Sequence, residues 1–267
     1  MFPFLHLCRC YCKKPPPVDT HQTVNDVVIS LTTTPPRIQK IWPTIHSLLL
    51  QSQLPSKIYL WIPKHYKRFN NTSIPHIPEF LNHPLIQVER IDKDWGPATK
   101  LLPALEKFKD LPETKIIVVD DDRVYPPELI STLIIHASAH PKSAITLIGT
   151  DIKQHKRIKY KKTRVPYPVD VLMGHGGYLV KPKFFSPAVF DYSQAPFEAF
   201  FEDDVWLSGH LFRNTISRLR VPSKHPATQN LKLLNVFKFS NPLCRNENQN
   251  GLNFLKVWSY FLSIDKK

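Results

Sequence analysis

Short apolar runs alternate with helically spaced apolar residues along much of the chain. Continuous runs are typical of buried strands, whereas apolar residues three and four positions apart are typical of amphipathic helices. This pattern predicts strands at 27–31, 57–62, 85–91, 116–119 and 144–148, and helices at 38–51, 96–108, 127–139, 205–218 and 252–262. Alternating strands and helices form right-handed βαβ units. The chain is therefore predicted to adopt an α/β fold with a mostly parallel central sheet flanked by helices.

Two segments of the second half follow a different pattern. Residues 151–168 hold seven lysines and arginines without apolar periodicity, and we predict a basic loop there. Residues 170–180 are predicted to form a strand, a glycine turn and a second strand, with Gly174, Gly176 and Gly177 in the turn. Glycines in such a turn allow positive φ or a close approach of the backbone to a sugar. Both interpretations stay open.

The most informative chemical feature is an acidic triplet, Asp120, Asp121 and Asp122, directly after the strand predicted at 116–119. That strand is continuously apolar, which predicts burial on both faces, and ligands of such sheets bind at the carboxyl ends of strands. Neighbouring carboxylates repel one another by about 4 kcal/mol per pair at ~4 Å and an effective dielectric constant of ~20. A divalent cation held together with substrate phosphates would relieve this repulsion. The alternative is an acidic turn without a ligand.

A second acidic cluster, Glu202, Asp203 and Asp204, precedes the helix predicted at 205–218. Carboxylates at a helix N-terminus are stabilised by the helix dipole, which is the structural interpretation. The functional interpretation is a general base. The aromatic residues of segment 197–201 would exclude water from such a carboxylate and raise its pKa.

Polar residues follow two other predicted strands. Thr32, Thr33 and Arg37 come after the strand at 27–31, and Lys100 comes after the strand at 85–91. Because carboxyl ends of parallel strands meet at one edge, these side chains are expected to share a crevice with the acidic triplet. A cation there suits a diphosphate. Otherwise, the threonines cap a turn and Lys100 lies on a solvated helix face.

The net charge of +14 and the pI near 9.6 favour anionic partners such as nucleotides, phosphorylated glycans or an acidic membrane surface. No aromatic-interleaved recognition motif accompanies the basic residues, so we expect no nucleic acid. His175, His210 and His225 are candidate additional metal ligands, although each alone is more often structural. No stretch approaches the ~20 apolar residues of a spanning helix.

The N-terminal residues differ from the rest in composition. Cys8, Cys10 and Cys12 crowd a short segment that ends at a triple proline, and their spacing fits neither a disulfide framework nor a common zinc site. We predict a flexible tail over residues 1–23. Its alternative role is an acylated tether that brings a cytoplasmic protein to a membrane.

Five motifs in order resemble GT-A fold glycosyltransferases of the family 2-like kind. The closest likeness is to the small sugar transferases of large algal DNA viruses and their bacterial relatives, which would place the protein in the host cytoplasm. The motifs are Val28–Thr33, Gly96–Lys100, Val118–Asp122 with Tyr125-Pro126, Gly174–Gly177 and Phe201–Trp206. The resemblance implies one GT-A domain over residues 24–267, with a nucleotide-binding half near 24–125 and an acceptor half near 126–267.

The same resemblance implies a metal-dependent, mostly inverting transfer of a hexose or deoxyhexose from a UDP- or GDP-sugar to a glycan hydroxyl, on a glycoprotein or a lipid. Asp122 and Asp120 would bind Mn²⁺ or Mg²⁺. Asp204 would be the base, with Asp203 as the alternative. The nucleotide pocket would be formed by Thr32, Thr33, Arg37, Lys100, Asp120, Asp121, Gly176 and Gly177.

Two other functions stay open. The segment from Ile116 to Val124 also resembles a haloacid-dehalogenase-like phosphatase motif, with Asp120 as nucleophile. That family usually places its nucleophile after the first strand, whereas three strands are predicted before this one. The other possibility is an inactive module that binds glycans or membranes through its basic face.

Overall fold

The computed structural model describes residues 10, 23–153, 156–159, 164–225, 228–230 and 252–264. Its strands are β1 (Thr23–Thr32), β2 (Leu54–Pro63), β3 (Ile86–Ile91), β4 (Lys115–Val118), β5 (Arg123–Val124), β6 (Ser143–Thr146), β7 (Gly149–Lys153), β8 (Lys156–Lys159), β9 (Tyr167–Pro168), β10 (Val171–Leu172), β11 (Tyr178–Val180), β12 (Ser217–Arg220) and β13 (Gln229–Asn230). The α-helices are α1 (Trp42–Leu49), α2 (Leu102–Lys107), α3 (Leu129–Ala139), α4 (Asp203–Arg213) and α5 (Leu252–Ile264). Short 3₁₀ helices lie at Ile38–Lys40, Lys67–Phe69, Glu79–Leu81, Gly96–Lys100, Gly174–Gly176, Pro182–Phe184, Pro187–Phe190 and Phe197–Phe200.

The central sheet has eight strands in the order β3-β2-β1-β4-β11-β6-β12-β9. The first four strands pair in parallel, β3 with β2, β2 with β1 and β1 with β4, and β12 is parallel to β6. Strand β11 is antiparallel to both β4 and β6, and β9 is antiparallel to β12. The predicted mostly parallel α/β sheet is confirmed, with antiparallel strands in its second half.

Strand β4 lies between two apolar layers. Ile116, Ile117 and Val118 are fully buried. Ile117 packs in the layer that contains α1 and α3, whereas Ile116 and Val118 pack in the layer that contains α2, α4 and α5. Side chains alternate between the faces of a strand, so burial on both faces requires this continuous apolar run. Each such side chain contributes roughly 1.5–3 kcal/mol when fully buried.

The pairing register brings the chemistry-bearing turns together. Ser30 of β1 pairs with Val118 of β4, and Thr32 pairs with Trp61 of β2. The turns after these parallel strands therefore begin at the same edge of the sheet, which is where open α/β sheets bind ligands.

Two predicted helices are divided at a proline. The segment 38–51 forms a 3₁₀ turn and then α1, with Pro43 in its first turn, and 96–108 forms a 3₁₀ turn and then α2, with Pro103 in its first turn. Proline lacks an N–H and is tolerated only at the start of a helix, so each helix restarts there.

Two predictions in the second half were wrong. The basic segment predicted as a loop contains the antiparallel hairpin of β7 and β8. The helix predicted over 205–218 begins at Asp203 and ends at Arg213, because Thr215 has a φ of 56° and breaks the helix. The residues that follow form β12.

Apart from Cys10 and Thr23, the predicted tail lies outside the described residues, as do Cys8 and Cys12. Within the described part of the chain, helices long and apolar enough to cross a bilayer are absent.

Candidate active site

The middle carboxylate of the acidic triplet is held by groups from the turn after β1 and from α1. Asp121 accepts hydrogen bonds from Thr33 Oγ1 at 2.7 Å and from Arg37 Nη1 at 2.6 Å. Thr44 Oγ1 donates to the Asp121 carbonyl at 2.9 Å. Burial raises the pKa of Asp121, with Arg37 acting in the opposite direction. Asp121 therefore fixes the turn, and both Thr33 and Arg37 are engaged in holding it.

The first and last carboxylates of the triplet have different surroundings. Asp120 Oδ1 accepts a 2.8 Å hydrogen bond from Lys100 Nζ. Burial opposes its charge, but Lys100 outweighs burial and the pKa of Asp120 is lowered. Asp122 forms longer ion pairs, at 3.3 Å to Arg123 Nε and 3.7 Å to Arg37 Nη2. Its oxygens are the more loosely held, which suits a ligand that must accept a metal ion.

Lys100 joins the acidic triplet to the second acidic cluster. Its side chain is 6% exposed, and its Nζ lies 2.8 Å from Asp120 Oδ1, 2.9 Å from Asp203 Oδ2 and 3.2 Å from Asp204 Oδ1. Burial disfavours the ammonium charge, but the carboxylates outweigh burial and raise the pKa of Lys100 well above its usual value. Lys100, which was predicted to approach a nucleotide, is thus buried between the carboxylates of Asp120, Asp203 and Asp204 and links the two acidic clusters. We refer to this arrangement as the junction at Lys100.

Gly174 allows the backbone to reach this junction. Its N–H donates to Asp204 Oδ2 at 3.0 Å. A Cβ at this position would meet Lys100 Nζ, Asp120 Oδ1 at 2.9 Å and Asp204 Oδ1 at 3.0 Å, closer than side chains pack. The glycine is required because the loop passes directly over the carboxylates.

The two carboxylates at the start of α4 differ in how they are held. Asp204 receives a donor on each oxygen, from Lys100 and Gly174. Asp203 Oδ2 is buried and makes no well-aligned hydrogen bond in the described part of the chain, although Lys100 Nζ lies 2.9 Å away as an ion-pair partner. Burial raises the pKa of Asp203 to about 7, with Lys100 opposing and Asp204 adding to the shift. A carboxylate with this pKa is suited to accept a proton near neutral pH.

A cavity of about 380 Å³ opens over these groups. The turns after β1, β2, β3 and β4 and the start of α4 all contribute to it, as expected for the carboxyl edge of a parallel sheet. Of the predicted site residues, Thr32, Thr33, Arg37, Lys100, Asp120, Asp121, Asp122, Asp203 and Asp204 line this cavity.

The remaining predicted site residues are two glycines that lie against apolar side chains. A Cβ on Gly176 would collide with Ile148, and Gly177 has a φ of 78° and lies against Leu129. Neither is among the residues that line the cavity, and their predicted place beside a nucleotide stays a prediction. Thr32 reaches the cavity, although its hydroxyl donates to the Trp61 carbonyl at 2.8 Å between two strands.

The candidate histidines lie in three different places. His210 packs against Trp206 and Phe261, and burial lowers its pKa to about 3. His225 is 3.6 Å from a glutamate carboxylate outside the cavity. His175 alone among the three experiences the charges of Asp120 and Asp204, and burial lowers its pKa.

Sequence reasoning missed the contributions of the loop after β2 and of the last helix. Tyr66, Arg68 and Phe69 line the cavity, and Phe254 of α5 closes another side. The rule that found the triplet would have found the loop, because it also follows a parallel strand. No local signal in the sequence places Phe254 there.

The charges at the site fit a divalent cation bound together with phosphates. The acidic side chains that line the cavity outnumber the cationic ones; the acidic ones are Asp94, Asp120, Asp121, Asp122, Glu202, Asp203 and Asp204, and the cationic ones are Arg37, Arg68, Lys100 and Arg123. In the described part of the chain, no group of three acidic, histidine or cysteine side chains is arranged to hold a metal alone. Ions such as Mg²⁺ need only one or two carboxylates when phosphates and water complete their coordination.

The raised pKa of Asp203 gives a stability prediction. Between its ordinary value of 3.8 and about 7, the folded state binds a proton that the unfolded state releases, so stability falls as pH rises through this window. Asp203→Asn removes the buried charge and is expected to raise the free energy of unfolding at pH 8 by about 1–3 kcal/mol, with little gain at pH 4. Urea denaturation of the metal-free protein at both pH values measures this, and an equal or lower stability at pH 8 would contradict it.

Comparison with known proteins identifies the fold of this chain. No family model and no curated protein matches the sequence. Among solved structures, the crystal structure of GalNAc-T7 with UDP, GalNAc and Mn²⁺ superposes with a TM-score of 0.51 at 13% identity. The match covers 89% of this chain and 48% of GalNAc-T7, so the chain spans about half the length of that protein. The fold is the GT-A glycosyltransferase fold.

Proposed function

We propose that the protein is a metal-dependent glycosyltransferase that moves a sugar from a nucleoside diphosphate to a hydroxyl acceptor. The observation that carries this proposal is the junction at Lys100, which holds the acidic triplet and the carboxylates of α4 over one cavity. Supporting it, GalNAc-T7 shares the fold and its crystal structure contains UDP and Mn²⁺. The predicted inverting outcome, hexose or deoxyhexose, UDP or GDP and acceptor remain parts of this proposal.

The acidic triplet and the residues around it would bind the metal ion and the diphosphate. Asp122 and Asp120 would hold Mn²⁺ or Mg²⁺, which when bound neutralises the diphosphate leaving group. Arg37, fixed by Asp121, presents its guanidinium at the same side of the cavity and can pair with a phosphate. Lys100 keeps Asp120 charged and in place.

The start of α4 also lines the cavity, and a carboxylate there can act as the base that the acceptor hydroxyl requires. We assign this role to Asp203, because both oxygens of Asp204 accept a hydrogen bond whereas Asp203 has, in the described part of the chain, only its ion pair with Lys100, and because the pKa of Asp203 is near neutrality. Asp204 then positions the Gly174 loop. The resemblance had favoured Asp204, so the two residues are alternatives that activity measurements must separate.

Other predictions stay as they were made. The likeness to viral transferases, the cytoplasmic location, the tethering tail and the division into donor and acceptor halves have no further support. The phosphatase alternative is not favoured, because the fold is GT-A and Asp120 is hydrogen-bonded to Lys100. The inactive-module alternative does not explain three carboxylates held around one buried ammonium.

Binding of UDP or GDP with and without Mn²⁺ tests the proposal by calorimetry or thermal shift. The wild type is expected to gain about 2.7 kcal/mol of stability at a hundredfold excess over Kd, and only when metal is present. Asp122→Asn is expected to lose most of the metal-dependent gain while retaining its fold. Asp92→Asn, at a carboxylate that is 87% exposed, is the control and should behave as wild type. Metal-independent binding in the wild type would count against the proposal.

A further inference from the structure

A second cavity of about 500 Å³ lies beside the first, and the proposed function gives it no role. Both cavities are lined by Arg68, Asp94, Phe200 and Phe201, so they adjoin along this border. Phe200 and Phe201 come shortly before Asp203 in the chain. A molecule in the second cavity would therefore enter the first on the side of the assigned base.

One wall of the second cavity is aromatic. It consists of Trp95, Tyr192, Phe197, Phe200 and Phe201. Trp95 is held by ring contacts to Phe190 and Tyr192, with centroids 5.8 and 5.9 Å apart. Phe197 is 79% exposed, which is unusual for so large an apolar side chain. An apolar wall in a concave site suits the flat apolar face of a sugar ring.

The rim of this cavity carries positive charge. Lys93 Nζ lies 3.4 Å from the Trp95 ring centroid, and Lys67 Nζ lies 5.9 Å from the Phe200 centroid. Neither ammonium group forms an ion pair in the part of the chain that the structure describes. The nearby Asp94 is already used, because its carboxylate accepts the backbone N–H groups of Lys67 and Gly96.

We propose that the second cavity binds the acceptor and that this acceptor is an anionic glycan. Its sugar ring packs on the aromatic wall, and a phosphate or carboxylate on it pairs with Lys67 and Lys93. The assignment rests on the proposed function, since it places the acceptor beside the carboxylate assigned as the base. Among the described residues, Asp191 is the one carboxylate whose charge acts on Lys93, and it forms no ion pair with it, so a neutral glycan would leave both lysines without an ion-pair partner in that part of the chain.

The test measures binding of three probes to the full chain by ligand-observed NMR, with UDP and Mn²⁺ present. The probes are methyl glucoside, methyl glucuronide and glucose 6-phosphate, so the two anionic arms separate carboxylate from phosphate. At least one anionic probe is expected to bind about tenfold more tightly than the neutral one, because two unpaired cations contribute to its binding.

Three variants locate the binding. The double variant Lys67→Gln and Lys93→Gln is expected to lose the anionic preference, and Phe197→Ala is expected to weaken all three probes. Lys109→Gln is the control, because this lysine is 62% exposed and pairs with Glu106 away from both cavities. These changes are at exposed or partly exposed positions, so the fold is retained.

Two outcomes would overturn the assignment. Equal binding of all probes, or an anionic preference that survives in the double variant, would remove the anionic acceptor. Competition between UDP and the anionic probe would give the second cavity to the donor instead. If UDP with Mn²⁺ does not bind the wild type in the same samples, the proposed function itself fails, and that result is distinct from the other two.

Discussion

Replacing Lys100 with methionine is expected to lower the free energy of unfolding by about 3–5 kcal/mol at pH 8, because a buried cation is removed from between carboxylates that cannot leave. Methionine keeps the length and the apolar stem, so the loss reports on the charge. Denaturation in urea measures it. Lys109→Met, at an exposed lysine, should stay within about 0.5 kcal/mol of wild type.

Two further observations separate this explanation from general damage to the core. The defect of Lys100→Met should shrink as the pH falls toward 4, because protonated carboxyls no longer repel one another. Adding Asp203→Asn should restore part of the stability, since one of the facing charges is then absent. A Lys100→Met protein as stable as wild type at pH 8 would contradict the junction described above.

Asp203→Asn is expected to lower kcat by about 10²–10⁴-fold, the range by which a positioned general base contributes, while nucleotide binding is unchanged. Asparagine has the same shape but cannot accept the proton. Release of nucleoside diphosphate from the sugar donor that the wild type turns over provides the measurement. The same change is predicted to stabilise the protein at pH 8, so loss of activity would not come from unfolding.

The two carboxylates of α4 are separated by the matched variant Asp204→Asn. It is expected to impair activity by disturbing the loop at Gly174, and to retain a pH dependence from Asp203 that is shifted to lower pH, because the Asp204 charge that helps raise the pKa of Asp203 is absent. If Asp203→Asn keeps wild-type kcat while Asp204→Asn loses it, the base is Asp204, as the family resemblance implied. Asp92→Asn again serves as the exposed control.

The half of the fold built from parallel strands could be predicted from sequence because its signals are local. A continuous apolar run such as 116–119 predicts a buried strand without any long-range information. Because ligands bind at the carboxyl ends of such strands, Asp120 and Asp122 are then predicted to lie at the binding site. The hairpin of β7 and β8 could not be predicted, because its strands lack apolar alternation, β8 is mostly basic, and the two are defined by pairing with each other.

The candidate site could also be predicted only in part. The pattern identified which residues reach the crevice, but not what they contact there. Lys100 was expected on a helix near a nucleotide, whereas its surroundings depend on α4, which lies about one hundred residues later in the chain. The neighbours of Gly176 and Gly177 could not be predicted for the same reason: they are Ile148 and Leu129, which no spacing in the motif reveals.

The central claim is that the acidic triplet binds a metal ion together with a nucleoside diphosphate. The most direct measurement is the anomalous signal of manganese in crystals grown with Mn²⁺ and UDP or GDP. The account predicts a manganese peak within coordinating distance of Asp122, with the diphosphate on its other side. A nucleotide bound without metal at this turn, or manganese bound elsewhere in the presence of nucleotide, would contradict it.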